Sequence, residues 1–406
     1  MGIRDLTDAA AVLSALEEFD DLGQKDFLDR HGFKSSTRYY LQHADRLYDP
    51  KAIAGVAHGY QYGKPLAYND FHGGEASTNA VLRRLGFTVL SGAPSTIEEE
   101  RAWRFTIWKN LRARTDREGL LATGDLRAVN AYGGQQCVWV DKARTEKLSP
   151  SGLAVGLLHT DIDHRDGVDD EGTLHPYPET KRAGQDIAET DATKATASHQ
   201  LPVFLISEHG PLASVRLGWV AGWEDESRLF FVKFGDRAPD QILDKDHSED
   251  HAFQLEGNRR RQRTGTVVTR PDQARFKIEV FQRYGPRCPL SGVAVPQMIE
   301  AEHLRPDAEN GSSDPRNGLP MNAALHRAFD AHLFAIHPTT LQVLVRPQGP
   351  TPAQLGITTS RLTLPKLPHE SALEWRYTRW LDRNRISLPD ITPDGHSLLL
   401  GQPPIG

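Results

Sequence analysis

Five side chains in the C-terminal half, Glu302, His303, Asn317, His326 and Asp330, have types and spacing suited to hydrolytic chemistry. Glu302 and His303 are adjacent, and His326 and Asp330 stand four apart, so on a helix they share one face. An imidazole titrates near neutrality, which suits it to take a proton from water. A mixed carboxylate–imidazole set with open water positions suits Mg²⁺ or Mn²⁺ and tolerates Co²⁺ or Ni²⁺. Phosphodiester hydrolysis draws on both: a base for the attacking water and a cation for the charge on the leaving oxygen.

The elements around these residues form an ordered series. A helix over DQARFKIEVFQRYG leads into the turn Cys288-Pro289-Leu290-Ser291-Gly292. A strand through Met298–Glu302 brings Glu302 and His303 forward, a polar loop ends at Asn317-Gly318-Leu319, and a helix spans Asn322–Asp330. The pieces CPLSG, EAEHLRP, NGLPMN and HRAFD, in this order, resemble the HNH (ββα-metal) endonuclease family. The resemblance implies that His303 is the general base, Glu302 and His326 are metal ligands, and Asn317 holds the His303 ring. Asp330 is either a third ligand or a cap on local structure. A single histidine is more often structural than functional, and the chain has 17, so the ordered set carries the reading. Many HNH modules hold a structural zinc with four cysteines. With only Cys137 and Cys288 this chain has neither that site nor a disulfide framework, and the module must rest on its apolar core.

Composition bounds the rest. At roughly 100–200 residues per domain, 406 residues make two or three domains. Hydrophobic residues at 38% exclude wholesale disorder. No stretch approaches an uninterrupted apolar membrane span, and the N-terminus MGIRDLTDAA lacks the apolar region of a secretory signal, so a cytoplasmic protein with no membrane partner is expected. The net charge of −6 speaks against nucleic acid only as a sum. Arg259–Arg346 holds 13 basic against 8 acidic residues, whereas Thr160–Asp191 holds 3 against 10. Such asymmetry allows a basic working face.

Five regions are expected in an α+β multidomain chain: a helical head over 1–95, a β-rich middle domain over 100–243, a charged linker over 244–270, the HNH domain over 271–345 and an extension over 346–406. In the head, helices are expected in AAAVLSALEEFDDLG, KAIAGVAHGYQYG and STNAVLRRLGF. In the middle domain a helix is expected over ERAWRFTIWKNLRARTDREG, ending at Gly119. Strands are expected in CVWVD, GLAVGLLHT, LPVFLI, SVRLGWVAGW and RLFFVKF, with a helix DIAETDATKATASHQ among them. The linker run NRRRQR, with Arg259, Arg260, Arg261 and Arg263, is either a solvated segment or a track for DNA phosphates.

Within the middle domain, LLHT, the acidic stretch DIDHRDGVDDEG, Gly172 with Tyr177, the helix DIAETDATKAT and Leu201-Pro202-Val203 resemble the SRA (SET and RING associated) family, with EVE and other PUA-like folds as near competitors. The resemblance implies that a modified cytosine is flipped out of duplex DNA. Tyr177 would stack on the base, and Asp163 or Asp166 would accept from its exocyclic amine. His164 replaces the family's aromatic residue in the acidic loop, which leaves the identity of the base open. Lys181 and Arg182 are candidate phosphate contacts. Trp139, Trp219 and Trp223 either line the base pocket or, the commoner role for tryptophan, pack in the core.

In the head, Tyr48-Asp49-Pro50-Lys51-Ala52-Ile53, Ala57-His58-Gly59 and Phe71-His72-Gly73-Gly74 resemble the N-terminal head of actinobacterial McrA-type modification-dependent restriction enzymes. Arg38, Lys51, Arg83 and Arg84 are either phosphate contacts or ordinary surface.

The whole is expected to be a modification-dependent (type IV-like) restriction endonuclease acting on duplex DNA with one divalent metal. One HNH site cuts one strand, so a double-strand break needs a homodimer or two encounters. The alternatives are an HNH nuclease or nickase on unmodified DNA, or a non-catalytic reader. The mark stays open among 5-methylcytosine, 5-hydroxymethylcytosine, a glucosylated form and backbone phosphorothioate.

Overall fold

The computed structural model describes residues 2–36, 38–44, 46–91, 94–133, 137–159, 172–180, 182–257 and 273–386. Asp163, Asp166, Lys181, Arg259, Arg260, Arg261 and Arg263 lie outside them. The chain folds as two compact units. One takes in most of the chain up to His159 with Tyr177–Val220 and Phe234–Asp240. The other takes in the strand Gly172–Pro176, Ala221–Lys233 and the chain from Gln241 onward.

The first unit begins with helix α1 (Ala9–Leu22), where the Asp8 carboxylate accepts from Ala10 N at 2.8 Å and caps the free amide. Val12, Ala15, Leu16 and Phe19 recur at helical spacing and are buried; Gly23, at φ +77°, stops the helix. Helix α2 (Gln24–His31) follows, and α3 (Pro50–Tyr62) starts on its proline. The small residues of α3 permit close packing: a Cβ on Gly55 would come within 2.5 Å of the Phe33 ring.

The head, which reads as mostly helical in sequence, also carries a small sheet. β1 (Tyr39–His43), β2 (Arg46–Tyr48) and β3 (Thr88–Ser91) form an antiparallel sheet in the order β2-β1-β3, with α4 (Ala80–Arg84) before the last strand. Strands of three to five residues have too few alternations to stand out between helices.

Helix α5 (Ile97–Arg114) opens on Thr96 and carries Glu98, Glu99 and Glu100 in its first turn, where the helix dipole favours acids. It ends before the expected Gly119 because the Asp116 carboxylate draws Glu118 N (2.8 Å) and Leu120 N (2.9 Å) into a turn. Beyond it lie β4 (Leu120–Ala122), α6 (Thr123–Ala128), β5 (Val138–Val140), α7 (Lys142–Thr145) and β6 (Ala154–His159). After β7 (Gly172–Pro176) come α8 (Ala183–Ser198), β8 (Pro202–His209), β9 (Leu212–Glu224) and β10 (Leu229–Phe234). β6 and β8 pair in parallel, as the long connection through α8 allows; β5 on β6, and β4 and β8 on β9, pair antiparallel. Beside this sheet a buried ion network joins helix to strands. Arg104 donates to Glu100 Oε1, Ala154 O and Pro202 O, each at 2.7 Å, and Arg144 meets Glu100 Oε2 at 2.6 Å.

In the second unit β7 and β10 pair antiparallel. Helix α9 (Gln273–Tyr284) holds this region through Gln282, whose side-chain amide donates to Trp223 O (2.8 Å) and Leu243 O (2.9 Å). Next come β11 (Ile299–His303), β12 (Gly318–Asn322), α10 (Ala323–Asp330), β13 (Phe334–Ile336), β14 (Val343–Val345), α11 (Pro352–Leu355) and α12 (Glu370–Asn384). Phe276, Val280, Phe281, Leu290, Ile299 and Leu319 are among the side chains of one buried cluster.

The described part of the expected linker, 244–257, is strapped to this unit. Asp246 meets Lys366 Nζ at 2.6 Å and Arg283 Nη1 at 3.3 Å, and His251 meets Asp314 at 3.2 Å. Asp246, Glu249, His251 and Glu256, in a run that resembles a solvated segment in sequence, find partners far along the chain.

Candidate metal and catalytic centre

β11 and β12 pair antiparallel in the register Glu300↔Met321, Glu302↔Leu319 and His303↔Gly318. Alternation along β11 puts Glu300 and Glu302 on one face and His303 on the other. At the end of β12, Asn322 starts α10: its side-chain oxygen accepts from Ala324 N (3.0 Å) and Leu325 N (2.9 Å), and its amide donates to Ser291 Oγ (2.7 Å) in the CPLSG turn. Hairpin, cap and turn together fix where α10 leaves the sheet, and α10 then presents His326 and Asp330 toward Glu302.

His326 Nε2 lies 2.5 Å from Glu302 Oε2 and 3.4 Å from Asp330 Oδ2, while its Nδ1 is bonded to Glu300. Ligand atoms of Glu302, His326 and Asp330 all fall within 4.8 Å of one another, the closeness a single ion requires. Two carboxylates and an imidazole match the donor preferences of Mn²⁺, and of Mg²⁺ with added waters. Glu302 is buried and Asp330 is exposed, so one side of the cluster is shielded and the other faces solvent.

Electrostatics binds the group together. Burial opposes a charge on His326, but hydrogen bonds to Asp330 and Glu302, with Glu300 adding to them, push its pKa up to about 11. The hydrogen bond from His326 holds Asp330 down to about 2. Burial drives the Glu302 carboxyl upward against the pull of His326.

His303, on the opposite face of β11, stacks on Phe276 of α9 with ring centroids 3.7 Å apart and planes 9° from parallel. That contact fixes the ring plane. The side chain of Asn317, the residue expected to hold this ring, is bonded to main chain. Fully buried, it accepts from Arg305 N (2.9 Å) and donates to Arg305 O (3.0 Å) and Ser312 O (2.8 Å). It thereby closes the loop after His303, and its own carbonyl accepts from Leu304 N at 2.8 Å. A side-chain amide satisfies main-chain donors and acceptors together.

Two neighbours of the cluster escaped the sequence reading. Glu300 was detectable, because it precedes Glu302 by two in a strand. Arg376 was not: it comes from α12, where Nη2 lies 3.6 Å from Glu302 Oε1 and 3.3 Å from Asp330 Oδ1.

In the first unit, Tyr177 is buried, with Lys194 Nζ 5.6 Å from its ring centroid. Arg182 bonds Thr180 Oγ1 (2.9 Å) and Gln185 Oε1 (2.6 Å). Trp219 is buried and donates to Gly235 O at 2.8 Å, and Trp139 packs against the core, in line with a packing role. Arg84 donates to Arg4 O and Leu6 O, Arg83 to Val89 O, and Lys51 lies over Tyr68 at 3.7 Å, so these cations stabilise the head itself. No helix among the described residues is long and apolar enough to cross a membrane.

Two stretches match known families: residues 4–91 match the ScoMcrA-like N-terminal head domain, and residues 288–337 match the HNH endonuclease family. No curated protein matches the chain. Among solved structures, a modification dependent TagI restriction endonuclease is 15% identical over 64% of this chain and 90% of its own, with a TM-score of 0.27. The Type IV phosphorothioation-dependent restriction endonuclease ScoMcrA is 14% identical over 93% of this chain and 99% of its own, with a TM-score of 0.20. Superpositions this loose carry no argument about function. The HNH match does: the C-terminal unit contains an HNH endonuclease domain, and the chain is a DNA endonuclease. HNH nucleases depend on metal, and Glu302, His326 and Asp330 fall inside the matched stretch.

Proposed function

We propose that this endonuclease is modification-dependent: the middle region, 100–243, reads a modified cytosine in duplex DNA by flipping it, and the HNH site hydrolyses phosphodiester bonds nearby. The observation that carries this reading is the pairing, in one chain, of a ScoMcrA-like head domain with an HNH stretch holding a compact Glu302–His326–Asp330 cluster.

Glu302, His326 and Asp330 would hold Mg²⁺ or Mn²⁺, which would supply positive charge to the phosphate and the leaving oxygen. His303 accepts the proton of the water that attacks phosphorus, its ring held in plane by Phe276. The O3′–phosphorus bond breaks, leaving 5′-phosphate and 3′-hydroxyl ends. Asn317 keeps the loop after His303 in place. In the reader, Tyr177 would stack on the flipped base and Asp163 or Asp166 would accept its exocyclic amine. Arg182 with Lys181, and Arg259, Arg260, Arg261 and Arg263, would contact phosphates.

The burial of Tyr177 favours a second reading, an HNH nuclease or nickase acting on unmodified DNA, because a stacking platform must open to receive a base. One assay separates the two. A single plasmid is prepared unmodified, with 5-methylcytosine, with 5-hydroxymethylcytosine, and with phosphorothioate, then incubated with Mg²⁺ or Mn²⁺. Cutting confined to a cytosine mark upholds the proposal. Cutting confined to phosphorothioate keeps modification dependence and removes base reading. Equal cutting of all four leaves the second reading.

A further inference from the structure

We propose that Arg376 is a positioning residue of the nuclease site, supplied by a helix outside the stretch that matches the HNH family. α12 is anchored by its apolar face: Ala372 and Leu373 enter the nuclease core, and Tyr377, Trp380 and Leu381 pack with Ala335 and Leu344. The amide of Asn384 ties its C-terminal end to His332 O at 3.1 Å. This anchoring carries Arg376 into the core at 4% exposure, its guanidinium carbon 4.1 Å from the Phe329 ring centroid.

A buried cation persists only where it is paired. The partners of Arg376 are Glu302 and Asp330, the two carboxylates of the candidate metal site, and one nitrogen, Nη2, reaches both. The contact takes Oε1 of Glu302, while Oε2 faces His326. Likewise it takes Oδ1 of Asp330, while Oδ2 faces His326. Each carboxylate thus turns one oxygen toward Arg376 and the other toward the shared centre. Charge supports the same assignment: Arg376 offsets part of the negative charge of Glu302 and Asp330.

The inference rests on the metal site proposed above, and its test reads metal binding without catalysis. Free Mn²⁺ is measured by electron paramagnetic resonance during titration of the full-length chain, the His326→Ala variant, and Arg376→Met, Arg376→Gln and Arg376→Lys. The parent should bind one Mn²⁺ and His326→Ala should not. Loss of the orienting contact should weaken Mn²⁺ binding by about 10–100-fold in the Met and Gln variants. Lys, which restores the charge, should recover part of that loss, as packing alone would not. Gln keeps a polar group over Phe329 and serves as the uncharged comparison if Met fails to fold. A folded uncharged variant that binds within twofold of the parent, or a Lys variant no better than Gln, overturns the role of Arg376 alone. A parent that binds no Mn²⁺, or as much as His326→Ala, overturns the metal site and this inference with it.

Discussion

His326 Nε2 lies 2.5 Å from Glu302 Oε2, joining the middle of a short helix to the end of a strand. Everything between them in sequence, the loop closed by Asn317, β12 and the Asn322 cap, serves to make that approach reproducible. Glu302→Gln and His326→Ala should each reduce DNA cleavage by on the order of 100-fold or more while leaving DNA binding intact. Plasmid nicking beside a gel-shift titration checks both. Loss of binding to the same degree as cleavage would deny the pair a catalytic role.

Gly318 faces His303 across the hairpin and backs onto α9. A Cβ there would lie 2.6 Å from Phe276 Cζ and 2.7 Å from Val280 Cγ2. Gly318→Ala should therefore displace the ring on which His303 stacks and cost about 1–3 kcal/mol. Urea unfolding measures the cost. Cleavage should fall further than the lost stability explains, with Mn²⁺ affinity unchanged, because the metal cluster occupies the other face of the strand.

Much of this site was legible in the sequence, for reasons that can be named. His326 and Asp330 are one helical turn apart, and Glu302 precedes them in a recognisable order. Glu300 obeyed strand alternation and was visible in principle. Arg376 was not, since nothing in EWRYTRWLDRN marks one arginine as buried; only the packing of Tyr377 and Trp380 decides which face turns inward. Asn317 was singled out, but its bonds to Arg305 and Ser312 were not legible, because a motif position does not reveal that two main-chain segments converge on it. The helices of the head stood out while its three short strands did not, and the charged stretch 244–257 concealed partners as distant as Lys366.

Asp246 makes the second unit sensitive to acid. Burial would push its carboxyl up, but hydrogen bonds from Lys366 and Ser248 hold it at about 2, below its ordinary range. A carboxylate held low stabilises the fold fully above its unfolded-state pKa, near 4, and the contribution fades as pH falls toward 2. Asp246→Asn should lose about 1 kcal/mol at neutral pH. It should also flatten the pH dependence of the melting temperature between pH 4 and pH 2, as calorimetry across that range would record.

Arg104 is fully buried with Glu100, and Arg144 completes the network. Removing one partner from such a group leaves an uncompensated charge, so Arg104→Met should destabilise the first unit by about 3–5 kcal/mol. The nuclease site should bind Mn²⁺ as before. Chemical denaturation followed by tryptophan fluorescence, with a Mn²⁺ titration below the transition, tests both statements.

The second unit is stitched from separated lengths of chain: the strand Gly172–Pro176, residues Ala221–Lys233, and everything from Gln241. No single cut point frees the nuclease with all its parts. A graft that joined another N-terminal part at residue 241 would leave β7 and β10 behind and strip α9 of Trp223, one of the two carbonyls that Gln282 holds. Any transplant of the second unit, in the laboratory or by recombination, must therefore carry at least two internal segments together with the tail, and a viable chimera is an insertion rather than a fusion.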